Sequence, residues 1–89
     1  MAWRVELLPE AERELRRIDR PDREKILEFL RSRLAGRSDP RSLGQPLHGP
    51  EPGKYWKYRV GDYRIVCSIQ DDRIVILVVR IGHRREVYR

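Results

Sequence analysis

The strongest constraint on the fold is the alternation of polar and apolar side chains in residues 54–81, which two short turn sequences interrupt. Gly61-Asp62 is typical of a tight two-residue hairpin turn, and Asp71-Asp72 marks a second turn. Because residues i and i+2 of a strand share a face, this pattern indicates strands that are buried on one side. The predicted strands are residues 54–60, 62–69 and 73–81. Short turns join antiparallel neighbours, so we expect an antiparallel sheet.

The N-terminal part of the chain combines a short strand with two helices. Residues 3–7 alternate apolar and charged side chains, which predicts a half-buried strand that Pro9 ends. A helix is predicted over residues 10–19, Pro21 suits the first turn of a second helix, and Gly36 is a plausible C-terminal stop. The apolar positions at helical spacing are Ala11, Leu15 and Ile18, followed by Ile26, Leu27, Phe29, Leu30 and Leu34.

The order of these elements predicts the fold class. With 89 residues the chain should form one domain. We expect an α+β domain of order β-α-α-β-β-β, with two N-terminal helices packed on a mostly antiparallel four-stranded sheet. Residues 36–53 are rich in Gly and Pro and should form a long irregular connection, of the kind that often lies beside a functional site. His48, in this segment, is expected to be a surface residue.

Positive charge is concentrated in the C-terminal part. The formal net charge is +6, but residues 1–53 hold 11 basic and 10 acidic side chains, whereas residues 54–89 hold 9 basic and 4 acidic ones. Such an asymmetry is typical of a surface that binds a polyanion.

The sequence does not support a disulfide, a membrane span or a metal site. The single cysteine, Cys67, cannot form an internal disulfide and should be a small buried apolar residue, which fits a reducing compartment. No apolar run approaches the roughly 20 residues that cross a bilayer, so we expect a cytoplasmic protein without membrane contact. No His, Asp and Glu cluster has metal-ligand spacing, so neither a metal nor another cofactor is predicted.

The strand pattern places cations on the face away from the helices. Lys57 and Arg59 share one face of their strand, whereas Trp56 and Tyr58 share the other. Arg64 points away from the apolar side of the next strand. Cleavage of RNA by its own 2′-hydroxyl needs a proton acceptor, cations for the phosphorane charge and an acid for the leaving oxygen. The residues alone leave open whether this surface cleaves nucleic acid or only binds it.

Three sequence motifs resemble the RelE/ParE superfamily of bacterial and archaeal toxin–antitoxin modules, and within it the RelE side. They are PLHG at 46–49, YRVGDYRIV at 58–66 and GHRREVYR at 82–89, and the two-helix hairpin before them also fits. The resemblance covers nearly the whole chain and implies a RelE-like, microbial-RNase-type fold. RelE-like toxins are ribosome-dependent endoribonucleases that cut the mRNA codon in the ribosomal A site.

The resemblance also implies roles for individual residues. Lys57 matches a lysine that acts at the cleavage site, and Arg64 matches the arginine that holds the scissile phosphate. Arg84 matches a leaving-group acid or charge stabiliser, and Tyr88 matches a tyrosine that orients the substrate base. His83 is added because an imidazole can act as an acid or base near neutral pH. The implied reaction is metal-independent, proceeds through 2′-hydroxyl attack and leaves a 2′,3′-cyclic phosphate.

Other cations and partners follow from the same resemblance. The predicted RNA contacts are Lys54, Arg59, Arg85 and Arg89. The predicted partners are a cognate antitoxin, RelB-like or other, and the 70S ribosome with its mRNA and ribosomal RNA. Tyr55 stands where the best-known RelE proteins carry a second strand lysine. Two alternatives remain. One is a ParE-type DNA gyrase inhibitor, which shares the fold but has no nuclease activity; the other is a non-catalytic nucleic-acid-binding module, which the Tyr55 departure keeps open.

Overall fold

The computed structural model describes residues 2–48 and 53–83. The strands are β1 Arg4–Leu7, β2 Gln45–Pro46, β3 Trp56–Val60, β4 Tyr63–Gln70 and β5 Val75–His83. The helices are α1 Pro9–Arg16 and α2 Arg20–Glu28, followed by a π-helix at Phe29–Leu34 and a short 3₁₀ helix at Pro40–Leu43. No helix among the described residues is long and apolar enough to span a membrane.

The strands form one sheet in the order β1-β5-β4-β3-β2. β1 pairs with β5 in parallel, and the other neighbours are antiparallel. The predicted α+β class with a mostly antiparallel sheet is therefore confirmed. The sheet has five strands rather than the four predicted, because β2 forms inside the segment that was expected to be irregular.

Close approach to β3 makes this additional strand possible. A Cβ at Gly44 would lie 2.6 Å from Tyr58 Cε1 and 2.8 Å from the Lys57 carbonyl oxygen, so a larger residue would push the segment away. Beyond Gly44, Gln45 and Pro46 pair with Lys57 and Trp56. Proline is tolerated here because β2 is an edge strand, where a missing N–H costs little. These backbone contacts are invisible to an alternation pattern, which explains the missed strand.

Element boundaries differ from the predicted ones at several places. α1 starts at Pro9 and ends at Arg16 instead of extending to residue 19. β3 starts at Trp56 rather than at residue 54, and β5 starts at Val75 rather than at residue 73. Gly82 does not break β5, because it pairs with Arg64 and keeps the chain in the ladder until His83.

The core lies between the helices and one face of the sheet, which we call the helix face. Its buried members are Ala11, Leu15, Ile18, Ile26, Phe29, Leu30 and Leu34 from the helical part and Tyr58, Ile65, Cys67, Ile76, Val78 and Ile81 from the strands. The predicted apolar stripes of both helices are thus confirmed. Cys67 is completely buried, as predicted, and burial raises the pKa of its thiol.

Two local features fix which side chains of β4 and β5 reach each face. Gly61 has a φ of 59° and is the first residue of the two-residue hairpin loop, where a type II′ turn requires positive φ. In β5, Val66 lies opposite Arg80 but Cys67 lies opposite Val78, so Val79 is an extra bulge residue. Because alternation has period two, the bulge reverses the facing of every residue after it.

Candidate active site

Cations of β3 and β4 meet on the sheet face that α1 and α2 do not cover, which we call the second face. Tyr58 and Ile65 point into the core, so their neighbours Lys57, Arg59 and Arg64 point to the second face. Arg59 and Arg64 are directly opposed cross-strand partners. Opposed like charges destabilise a strand pair, and a bound anion such as a phosphate would relieve that repulsion. The sequence prediction that these cations share a face is confirmed.

A cavity of about 280 Å³ opens where these cations meet. Its lining residues are Leu43, Gly44, Gln45, Lys57, Tyr58, Arg59 and Arg64. None of these lining residues is acidic, so the site is electrostatically suited to an anion. Its volume is near the lower end of the usual range for ligand pockets, about 300–1,000 Å³.

The wall of this cavity is anchored by Arg41 in the 3₁₀ helix. The guanidinium donates to both carboxylate oxygens of Asp71, with Nη1–Oδ1 at 3.1 Å, and to Asp39 Oδ1 at 3.3 Å. It also lies over the Trp56 ring, 5.9 Å from the centroid. These hydrogen bonds hold the pKa of Asp71 below its usual value. We refer to the paired Arg41 and Asp71 as the clamp.

A second anchor fixes the same wall from inside. The Tyr58 hydroxyl donates to the Pro40 carbonyl oxygen at 3.0 Å, and desolvation raises the pKa of that phenol. The Leu47 N–H donates to the Tyr55 carbonyl oxygen at 2.9 Å beyond the end of β2. The segment that carries Gln45 is therefore held at both ends against the sheet.

His83 is not brought together with Lys57 and Arg64. It is the cross-strand partner of Tyr63, and the two rings contact edge to face with centroids 6.0 Å apart. Tyr63 packs against the core, so both rings lie on the helix side of the sheet. The physical reason is the bulge at Val79, which turns Gly82 rather than His83 toward the face that carries Arg64.

His83 instead lines a separate cavity of about 280 Å³. The other lining residues are Glu14, Arg17, Ile18, Tyr63, Ile81 and Gly82. The Glu14 carboxylate accepts from the Ile81 N–H at 2.8 Å and from the Arg80 guanidinium at 2.8 and 3.0 Å. Glu14 thus joins α1 to the edge of β5 where β1 no longer covers it, which is a structural role.

The other residues predicted from the sequence lie outside the cavity or outside the described part of the chain. Lys54 is exposed and lies over the Tyr55 ring, 5.4 Å from the centroid, and it does not line the cavity. Arg84, Arg85, Tyr88 and Arg89 lie outside the described residues. His48 is exposed, as predicted. Gln45 also lines the cavity but was not predicted from the sequence. The only signal for it was a Gly- and Pro-rich segment, which indicated a nearby functional site but no particular residue.

Comparison with known proteins identifies the family. A sequence model described as the ParE toxin of type II toxin–antitoxin systems matches residues 5–88. The chain belongs to this family. It therefore lies in the RelE/ParE superfamily, and the resemblance found in the sequence motifs is confirmed. The curated protein toxin RelG of Mycobacterium tuberculosis is 27% identical over 89 residues, which is all of this chain and 99% of that toxin.

Solved structures of toxins share the fold over almost their full length. A chain of the toxin–antitoxin complex RelBE2 from M. tuberculosis superposes with a TM-score of 0.83 at 24% identity, covering 97% of this chain and 95% of that one. The archaeal RelE–RelB complex from Pyrococcus horikoshii gives 0.75 at 24% identity, with 98% and 100% covered. The isolated E. coli RelE toxin gives 0.73 at 23% identity, with 98% and 92% covered. These similarities establish a RelE-like fold.

Proposed function

We propose that this toxin is a ribosome-dependent endoribonuclease that cuts mRNA in the ribosomal A site and so inhibits translation. The observation that carries the proposal is the convergence of Lys57, Arg59 and Arg64 on one cavity, which puts three cationic side chains around a single site. Phosphoryl transfer within RNA places new negative charge on the equatorial oxygens, and preorganised cations stabilise that charge most effectively. Arginine adds bidentate geometry that suits a phosphate.

The proposed chemistry assigns one task to each cation. Arg64 holds the scissile phosphate. Lys57 stabilises the developing charge as an ammonium group, or takes the 2′-hydroxyl proton as a neutral amine and becomes the ammonium in that step. By resemblance, Arg84 assists the leaving 5′-oxygen and Tyr88 orients the base. The bond that forms joins O2′ to phosphorus and the bond that breaks is P–O5′, which yields a 2′,3′-cyclic phosphate without a required metal. His83 faces the other side of the sheet, so a direct role for it in this cavity is not favoured.

The proposal includes two partners in the cytoplasm. The first is a cognate antitoxin, since the structural neighbours include complexes of RelE with RelB. The second is the 70S ribosome, which would present the mRNA to the cavity. Further contacts to RNA are proposed for Lys54, Arg59, Arg85 and Arg89.

Primer extension on a defined mRNA, with and without programmed 70S ribosomes, tests the proposal. We expect cuts within the A-site codon only when ribosomes are present, and a cyclic phosphate at the new 3′ end. Arg64→Ala and Arg84→Ala should each lower cleavage by about tenfold or more. Arg31→Ala is the matched control, because Arg31 is an exposed arginine on the helical layer. Equal cleavage by Arg64→Ala and the control would overturn the site assignment.

The family match also favours a second candidate, which is inhibition of DNA gyrase. The matching sequence model describes a ParE toxin, and Tyr55 replaces a lysine of the best-known RelE proteins. A gyrase supercoiling assay decides between the two. Loss of supercoiling together with absent mRNA cleavage would replace the ribonuclease proposal with gyrase inhibition.

A further inference from the structure

The residue beside Lys57 on the neighbouring strand is Gln45. The two are direct cross-strand partners in the β2–β3 pair. Directly opposed residues of antiparallel strands have Cβ atoms about 4.5–5.5 Å apart and project from the same face. Gln45 is exposed and lines the same cavity as Lys57 and Arg64. Its amide therefore lies beside the cations that we assign to the scissile phosphate.

Gln45 differs chemically from the cations around it. Lysine and arginine contacts to phosphate position a nucleic acid but carry no sequence information. The side-chain amide offers both a donor and an acceptor, which is the combination that reads base edges. Two of the described lining residues have uncharged polar side chains that can both donate and accept a hydrogen bond, Gln45 and Tyr58. Tyr58 is buried and its hydroxyl already donates to Pro40, so Gln45 is the one exposed to a ligand.

The backbone that carries Gln45 is held firmly enough for such a task. The clamp fixes the preceding 3₁₀ helix, and the tight contact of Gly44 with Tyr58 and Lys57 fixes the approach of the chain. The Leu47 N–H bond to Tyr55 fixes the following residue pair. A recognition group has to be held within about 0.5 Å of its productive geometry, and a strand provides this better than a free loop.

We infer that Gln45 determines sequence preference by reading adenine next to the scissile phosphate. The amide donor and acceptor match the N7 acceptor and the N6 amino donor that adenine presents side by side on its Hoogsteen edge. On its Hoogsteen edge guanine presents two adjacent acceptors, which an amide cannot satisfy in a bidentate manner. This inference rests on the proposed ribonuclease function and names a feature of its substrate.

The test measures the sequence of the cuts together with their number. Ribosomes are programmed with mRNAs whose A-site codon is randomised, and the 5′ ends of the products are sequenced for the wild type and for Gln45→Ala. We expect the wild type to prefer adenine over guanine at one position flanking the cut by about fivefold, and Gln45→Ala to reduce this ratio to below about twofold. Total cleavage should fall less than in Arg64→Ala.

Gln70→Ala is the matched control. Gln70 lies on the same sheet face at the far end of β4, where its amide donates to Ser68 Oγ at 2.7 Å. This variant should keep the wild-type ratio. An adenine preference that survives unchanged in Gln45→Ala, or its absence from the wild type, overturns the inference.

A second measurement separates failure of this inference from failure of the proposed function. Fluorescence anisotropy follows binding of the protein to two single-stranded oligonucleotides that carry either adenine or guanine at alternate positions. Tighter binding of the adenine strand by the wild type, lost in Gln45→Ala, supports base reading even if ribosome-dependent cleavage is absent. A different result overturns base reading and leaves the ribonuclease proposal intact. In that case mRNA is cleaved, the adenine and guanine oligonucleotides bind equally well, and the wild type and Gln45→Ala show the same adenine-to-guanine ratio at the cut.

Discussion

The two faces of the β3–β4 hairpin differ in what they contribute. On the helix face, Tyr58, Ile65 and Cys67 are buried in the core. On the second face, Lys57 and Arg64 alternate with those residues along the same strands and line a cavity. Because strand side chains alternate, one hairpin supplies both packing and a charged surface without mixing them. Substitutions at adjacent positions should therefore affect different properties.

The contrast between an apolar helix face and a cationic second face is confined to one half of the sheet. Val66 and Val75 also belong to the second face, yet both are buried. Near β1, the Glu6 carboxylate forms ion pairs with Arg4 at 3.0 Å and with Arg73 at 4.0 Å, so an acidic side chain lies beside the cations there. Lys57, Arg59 and Arg64 instead gather at the cavity beside β2, β3 and β4, where none of the described lining residues is acidic. The following predictions test this contrast.

The largest effect is expected from substitutions at two neighbouring positions on opposite faces. Ile65→Ala removes a fully buried side chain and should lower the free energy of unfolding by about 2–5 kcal/mol. Arg64→Ala should leave the fold intact and reduce cleavage. Urea unfolding and the cleavage assay on both variants check this. A similar loss of stability in the two variants would contradict the separation of the faces.

Neither residue of the clamp lines the cavity, yet weakening the clamp should lower cleavage. Asp71→Asn removes the charge that holds Arg41, so the wall carrying Gln45 should loosen and cleavage should fall several-fold while the cavity cations stay in place. Asp72→Asn, at the adjacent exposed turn position, is the control. Cleavage that is equal in both variants would show that the wall does not depend on the clamp.

The same ion pair predicts a pH dependence with a defined sign. The folded-state pKa of Asp71 lies below its ordinary value of 3.8 because Arg41 donates to it. The paired carboxylate therefore stabilises the fold above about pH 4, and this contribution is lost as the pH falls through the folded-state pKa. Melting temperatures of wild type and Asp71→Asn should differ at pH 7 and converge in acid. A difference that grows on acidification would contradict the assignment.

A smaller effect, and one of opposite sign, is expected at a residue that belongs to neither the core nor the cavity: its substitution should raise the stability. Ile74, in the turn before β5, has a φ of 54°, and this left-handed conformation is strained for a β-branched side chain. Ile74→Asn should raise the free energy of unfolding by about 0.5–1 kcal/mol, because asparagine tolerates this region better. Thermal unfolding measures the gain, and unchanged cleavage should accompany it. A lower melting temperature would show that the exposed isoleucine contributes more packing than strain.

The smallest effect is expected for the reactivity of the Cys67 thiol, which is buried between the helices and the sheet. Cys67 is fully buried and burial raises the pKa of its thiol, so it should stay protonated and inaccessible. We expect no alkylation by iodoacetamide at pH 8 in the native state and complete alkylation in urea. Rapid native labelling would mean that the packing between helices and sheet opens readily.

The sequence predicted the main elements because their signals are local. Alternation along residues 54–81 gave three strands of the sheet, and helical spacing gave both apolar stripes that form the core. The site was predicted in part: the shared face of Lys57, Arg59 and Arg64 is confirmed, and their roles remain predictions. The position of Gln45 in the cavity could not be predicted, because it depends on pairing with a strand that follows a long connection.

The sequence by itself determined the α+β class, the apolar and cationic sides of β3 and β4, and the location of the excess charge. These properties depend on the periodicity of neighbouring residues and on composition. The tertiary structure decided that Val79 forms a bulge and turns His83 away from the cations, and that Arg41 reaches Asp71, 30 residues away, to hold the cavity wall. The first outcome depends on backbone pairing between β4 and β5, and the second on a side-chain ion pair between segments far apart in the sequence. A local pattern cannot specify either contact.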